Sequence, residues 1–350
     1  MTLPGVTSRV VSARPGKGNY LPVTVIPALF IIGTVLASCS GVDRDASVAF
    51  VDRNRDVPAF SSDSAYTFIE RQVAFGPRNP GSDGHKRTRD YLADQLREYA
   101  GSEAVYLQDF THTGYEGEVY DMSNIIASFL PELGDRIMLL AHWDTRPRAE
   151  RETDPQLRHE PIPGADDGGS GVGVLLELAR IFRDHPPPLG VDIILFDGED
   201  YGHEGDLDYY FLGARYWSEN PPVPDYQPRF GILLDMVGGE DAVFPREGFS
   251  MQYAPWLVDE VWSVAGDLGY DELFIDRDGS SIADDHWVIN RNTDIPTINI
   301  IHHKPADQGR SSVQFPHYWH THDDDMEIIS TETLQAVGDV LMELIYNRIR

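Results

Sequence analysis

From about residue 120 onward, short continuous apolar runs alternate with stretches in which apolar residues recur every three or four positions. The runs are 123–129 (SNIIASF), 136–141 (RIMLLA), 191–196 (VDIILF), 231–234 (GILL) and 295–301 (IPTINII). Runs with so little polar alternation suit strands buried on both faces of a sheet. Residues 172–182 place Val172, Leu175, Leu176 and Ala179 on one helical face, and residues 256–268 and 331–349 repeat that pattern. Two helices are predicted upstream. Asp63 is the expected N-cap of the first, which carries Tyr66, Ile69 and Val73 and ends at Gly76-Pro77. Ser82 or Asp83 caps the second, which carries Tyr91, Leu92 and Leu96 and stops at Gly101. Alternating strands and helices predict an α/β fold with a mostly parallel mixed sheet and helices on both sides. Ligands in such sheets bind at the carboxyl ends of the strands.

Acidic and histidine residues gather at those ends. The run 136–141 leads into His142-Trp143-Asp144, and 191–196 into Asp197-Gly198-Glu199-Asp200. Leu234 is followed by Asp235, and a loop after Ile301 reaches WHTHDD at 319–324. Between the first two lies GADDGGSG at 164–171, just before a predicted helix. Imidazoles and carboxylates suit zinc, and a catalytic zinc needs three protein ligands and an open position. Ligands on separate strand ends converge without any short spacing, so the ordered set carries the signal. Glu199 and Asp200 can face one site only if the chain turns after its strand, because neighbours on a strand point to opposite faces. A phosphate loop at 164–171 is excluded by its two central carboxylates and by the lack of a following Lys or Arg within reach. No GxSxG elbow marks a serine nucleophile.

The chain of 350 residues is 41% hydrophobic, enough for a large core. Its 57 acids against 28 Lys and Arg give a net charge of −29, which repels nucleic-acid phosphate and excludes a nucleic-acid partner. The single cysteine, Cys39, excludes internal disulfides and a cysteine zinc cage. It follows an apolar run from Leu21 behind a basic stretch, ending Leu36-Ala37-Ser38. This layout resembles a secretory signal with a bacterial lipobox, implying cleavage before Cys39 and lipidation of its thiol. A transmembrane anchor is the alternative, although the run is only just long enough and Pro22 and Pro27 interrupt it. Either reading holds the body outside the cytoplasm on a tether, with the anchor as its only membrane contact. The expected organisation is a signal peptide over 1–38, a lipid-anchored linker over 39–60 and one catalytic domain over 61–350.

The ordered set HWD at 142–144, GADDGGSG, FDGED at 196–200, LLD at 233–235 and WHTHDD resembles the zinc-dependent aminopeptidase and glutaminyl cyclase superfamily. Within it, NPGSDG at 79–84, SNII at 123–126, LLELAR at 175–180, IADDHWV at 282–288 and FPHYWHTHDD at 315–324 are most similar to animal-type glutaminyl-peptide cyclotransferases. The resemblance spans roughly residues 76–327 and implies a three-layer α/β/α sandwich of the zinc exopeptidase type. It also implies Asp167, Asp200 and His320 as zinc ligands, with Asp166 the alternative to Asp167, and Glu199 as general acid/base. A cis peptide would follow the first ligand, at Asp167-Gly168. The family usually has Glu where Asp200 stands. Asp284 matches a carboxylate that shares protons with the acid/base, with Asp285 its neighbouring candidate. Phe315, Trp319 and Ile282 match substrate-pocket positions. A further pocket tryptophan of the animal enzymes has no equivalent in YGHEGDLD at 201–208.

Two chemistries fit these groups. In glutaminyl cyclisation, an N-terminal amine attacks its own side-chain carboxamide and expels ammonia. One zinc suffices, with Glu199 moving the proton. In an aminopeptidase, water activated at a zinc pair attacks the peptide carbonyl. His142 and Asp235 would then complete a second site bridged by Asp167, and Asp144 would orient His142. The substrate in both cases is the N-terminus of a peptide or protein. A non-catalytic peptide-binding relative is the third reading, although every ligand position is filled by a competent residue. His302, His303, His317 and His322 are expected in loops or at the rim. The polar insertions 146–163 and 201–210 are expected over the pocket.

Overall fold

The computed structural model describes residue 50, residues 55–306 and residues 313–349. The apolar run behind the lipobox, and Cys39 itself, lie outside the described residues. Six strands form one sheet: β1 (Val105–Thr113), β2 (Val119–Phe129), β3 (Arg136–His142), β4 (Gly190–Phe196), β5 (Gly231–Asp235) and β6 (Thr297–Ile301), in the order β1-β2-β4-β3-β5-β6. β3 pairs parallel with β4 and β5, and β5 with β6, while β2 runs antiparallel to both β1 and β4. The edge strand β1 was not predicted, because its half-exposed positions lack the continuous apolar run of the central strands.

Alternate residues of each central strand serve opposite layers, as the pleat requires. Ile137, Leu139 and Ala141 of β3 join a large core with α1 (Ser62–Val73), α2 (Asp83–Ala100), α3 (Gly169–Asp184), α6 (Pro255–Asp267) and α8 (Thr331–Glu343). Met138 and Leu140 face a smaller core with α4 (Leu212–Glu219) and α7 (Asp285–Asn292). The result is a three-layer α/β/α sandwich, with α5 (Gly248–Tyr253) leading into α6. Burying the sheet on both faces explains why the central strands read as uninterrupted apolar runs.

Helix starts differ in detail from expectation. Ser61, not Asp63, caps α1, because its side chain reaches the N–H of Ser64, whereas Asp63 lies in the first turn. Ser82 caps α2 through the N–H of His85. Within 39–60, Phe50 bridges to Ile349 and Phe60 is buried against Gly338 of α8, so these two aromatic side chains pack on the sandwich. The chain leaves β3 for α3 and β4 on one side and crosses to β5 on the other. The carboxyl ends of β3, β4 and β5 therefore meet at a switch point where open α/β sheets form a crevice.

Candidate active site

His142 ends β3 and Asp235 ends β5. Glu199 and Asp200 follow β4, Asp167 precedes α3, and His320 lies in the loop after β6. Ligand atoms of Asp167, Asp200 and His320 all lie within 4.8 Å of one another, and so do those of His142, Asp167 and Asp235. Asp167 belongs to both groups: His320 Nε2 is 3.7 Å from its Oδ2 and His142 Nε2 is 3.3 Å from its Oδ1.

Asp166 has a different task. Its carboxylate accepts the Tyr318 hydroxyl at 2.6 Å and the Gly238 N–H at 2.7 Å, which turns it away from the cluster. The buried Asp324 then accepts the N–H groups of Asp166 and Asp167 at 2.7 and 3.1 Å, tying the two ligand-bearing loops together. The expected cis peptide is absent: the described residues contain none, and Gly168 turns the chain with φ 87° instead. A Cβ at Gly168 would lie 2.4 Å from the Asp144 carbonyl oxygen, so only glycine fits.

The turn that lets Glu199 and Asp200 share a site is held by Asp144. Its carboxylate accepts the N–H of Glu199 at 3.0 Å and that of Asp200 at 3.3 Å. The imidazole-orienting task expected of Asp144 is weaker, since its oxygen lies 3.6 Å from His142 Nδ1 and that nitrogen has no hydrogen-bond partner among the described residues. His142 Nε2 instead meets Asp235 Oδ1 at 3.2 Å. His320 holds a left-handed φ of 58°, a strained conformation concentrated at functional positions. Trp319 stacks on its ring with centroids 3.6 Å apart.

The electrostatics ask for a cation. Asp167, Asp200, Asp235 and Asp284 are buried, while Glu199 stays partly open to the cavity. Burial pushes Asp200 well above the usual carboxylate range; Asp167 and Asp144 add to this and Arg146 opposes it. Burial also raises Glu199 well above its ordinary value, with Asp200, Asp284 and Asp285 raising it further against the pull of His142. Asp235 is pushed up to about 7, mainly by burial. Oδ2 of Asp200 is buried with no hydrogen-bond partner among the described residues, which costs free energy unless a cation meets it. Two carboxylates and an imidazole around such an oxygen are a donor set that fits zinc.

A cavity of about 240 Å³ opens onto this cluster. Ile282, Phe315 and Trp319 form one wall, with the last two rings 4.3 Å apart, and Asp284 and Glu199 lie in the same cavity. Leu207, Tyr210 and Phe211 line another part of it. Asp284 is fixed by Asn299 Nδ2 at 2.6 Å. Asn299 is held in turn by Ser250 and Ser250 by Glu247, whose other oxygen accepts the Ile282 N–H at 2.8 Å. Asp285 is fully buried, with neither carboxylate oxygen hydrogen-bonded to a described residue.

His302, His303 and His322 bond Tyr318, the Ile301 carbonyl oxygen and Glu152, and none of them joins a metal-competent group of described residues. Sequence reasoning assigned no role to Asp324 of WHTHDD or to the buried Arg146, which it placed only at the start of the polar insertion expected over the pocket. It also missed Arg78, whose guanidinium spans the carbonyl oxygens of Trp143, Pro163 and Gly164 under the cluster. The available signal was an arginine two residues after Asp144 and a second aspartate after WHTHD.

Comparison with known proteins points to the same superfamily. The model of peptidase family M28 matches residues 124–345. A Zn-dependent exopeptidase from Parabacteroides distasonis superposes with a TM-score of 0.79 and 46% identity, covering 84% of this chain and 100% of that one. Bacteroides thetaiotaomicron glutaminyl cyclase superposes with a TM-score of 0.78 and 46% identity, covering 83% and 99%. Glutaminyl-peptide cyclotransferase of Bos taurus is 24% identical over 91% of this chain and 95% of its own.

Proposed function

The chain belongs to peptidase family M28 and is a zinc-dependent enzyme of the cyclase or aminopeptidase type, and from that premise we propose that it is a glutaminyl-peptide cyclotransferase. It would convert an N-terminal Gln of a peptide or protein to pyroglutamate with release of ammonia. The observation that carries this reading is the placing of Glu199 and Asp284 in one small cavity beside Asp167, Asp200 and His320, walled by Ile282, Phe315 and Trp319.

Asp167, Asp200 and His320 would hold one zinc, which supplies Lewis-acid polarisation of the side-chain carboxamide. Glu199 takes the proton from the attacking α-amine and returns it to the leaving nitrogen, a transfer typically contributing about 10² to 10⁴ in rate. Asp284, anchored by Asn299, shares the proton with Glu199. The apolar wall of Ile282, Phe315 and Trp319 would pack against the substrate, which suits attack from within one residue.

The second reading is an aminopeptidase, in which His142, Asp167 and Asp235 would hold a second metal; the presence of this group alone does not separate the two readings. A single assay separates the two. The zinc-loaded enzyme is incubated with one peptide beginning with Gln and one beginning with Leu, and products are read by mass spectrometry. Loss of ammonia from the Gln peptide alone supports the cyclase; release of free Leu sinks it, and metal counting would then give two ions.

We also propose that the chain is an extracytoplasmic lipoprotein tethered through Cys39, with the catalytic body following its linker. Metabolic labelling with a fatty acid that persists in a Cys39→Ala variant would refute this.

A further inference from the structure

The geometry points to Arg146 as the positioning residue that makes Asp200 a one-oxygen ligand, so that the short carboxylate at 200 and the arginine at 146 work as a unit. This rests on the reading of Asp200 as a zinc ligand. Arg146 is fully buried. Nη1 donates to the Asp200 carbonyl oxygen at 3.1 Å and to Oδ1 at 2.5 Å. Nε and Nη2 donate to the two carboxylate oxygens of Glu150 at 2.6 and 2.8 Å, and Nη2 also reaches the Tyr210 hydroxyl at 2.9 Å.

One oxygen of Asp200 is therefore taken by the guanidinium. The other, Oδ2, has no hydrogen-bond partner among the described residues and lies 3.6 Å from His320 Nε2. The guanidinium fork is rigid and planar, so an arginine held on three partners fixes the plane of the carboxylate it binds. Tyr210 lines the substrate cavity, so the same fork joins the cavity wall to the ligand. The superfamily's usual glutamate at this position is one methylene longer. With Arg146 in place, a glutamate here would drive its carboxylate into the guanidinium or past the place where Oδ2 sits. Arg146 thus sets the side-chain length that position 200 accepts.

The test measures zinc affinity by chelator competition on the full chain, with thermal melting of the metal-free protein as a check of folding. Outer-shell partners of metal ligands typically control affinity by about 10- to 100-fold. Asp200→Glu alone is expected to weaken zinc by about tenfold or more. Arg146→Met and Arg146→Lys are expected to do the same, since neither can hold Oδ1 and Tyr210 together. Glu150 also meets Arg148 at 3.1 Å, so these variants leave it a cationic partner. The double variant Asp200→Glu/Arg146→Met is expected to return to within roughly threefold of the parent, a strong non-additivity. Parent-like affinity of Asp200→Glu, or the same loss from it in both backgrounds, overturns the inference. The first of these decides the matter even if Arg146→Met does not fold. Asp200→Asn is the control: parent-like zinc affinity there overturns the ligand reading of Asp200 itself.

Discussion

The carboxylate of Asp144 accepts the backbone N–H of Glu199 at 3.0 Å. Its second oxygen takes the next N–H, that of Asp200, at 3.3 Å. One buried aspartate at the end of β3 thereby shapes the turn after β4 and presents both the acid/base candidate and the ligand candidate. Asp144→Ala leaves two N–H groups without their charged acceptor, each bond being worth roughly 1.5–3 kcal/mol. The expected outcome is a loss of about 3–6 kcal/mol of stability together with a tenfold or greater loss of zinc affinity. Denaturant melts and chelator competition measure the two effects; an unchanged zinc affinity would show that the turn holds without Asp144.

Glu199 and Asp200 are neighbours with different prospects. Glu199 stays open to the cavity and belongs to neither metal-competent group among the described residues. Glu199→Gln keeps the shape and removes the proton acceptor. Turnover is expected to fall by about 10² to 10⁴, with zinc content at the parent level. Metal analysis alongside kinetics checks this, and loss of zinc would move Glu199 into the ligand set.

Most of the fold was legible because its central strands are buried on both faces. After Arg136 the run IMLLA at 137–141 has no polar position, and all seven residues of β3 are buried. β1 was not legible, because VYLQDFTHT mixes exposed and half-buried positions at a sheet edge. In the candidate site, the residues brought together by strand ends could be read from their order along the chain. Those that act through backbone contacts could not. Asp324 accepts two N–H groups from a loop more than 150 positions away, and Arg78 binds carbonyl oxygens, which every residue carries. Side-chain identity alone does not encode such pairings. Arg146 did not stand out from the polar insertion 146–163, because charged residues surround it in sequence, yet Glu150 and Asp200 neutralise it in the interior.

The Glu247 carboxylate underpins the Ile282 wall and Asp284, and its titration has a readable consequence for stability. It accepts the N–H groups of Phe249, Ser250 and Ile282 and lies 3.0 Å from His286 Nε2. Burial works against its charge, but His286 and these backbone donors hold it down to about 2, against an ordinary 4.5. A carboxyl depressed in the folded state adds stability above its unfolded pKa and loses it as pH falls through its folded pKa. Glu247 is expected to contribute about 3 kcal/mol at neutral pH, declining between pH 4.5 and 2. Urea melts across that window should be steeper in pH for the parent than for Glu247→Gln, which lacks the titrating group. Equal slopes would contradict the assignment.

Asp166 and Asp167 offer the sharpest separation of support from chemistry, since one peptide bond divides them. Asp166 spends its oxygens on the Tyr318 hydroxyl and the Gly238 N–H, and burial raises its carboxyl above the usual range. Asp167 instead shares its oxygens between His142 and His320. Asp166→Asn replaces one acceptor by a donor facing a donor, so the metal-free protein should lose roughly 1–3 kcal/mol. Its zinc affinity should follow only through the loosened loop. Asp167→Asn should leave the metal-free melting temperature near the parent's or raise it, because a crowded negative charge is removed. Its zinc affinity should fall by more than the roughly 10–100-fold typical of an outer-shell change. Melting the two metal-free variants beside the parent, then titrating each with zinc under chelator competition, gives four numbers. The assignment of Asp167 over Asp166 requires the larger stability loss and the larger zinc loss to fall on different variants. Both losses falling on Asp166→Asn would return the ligand position to Asp166.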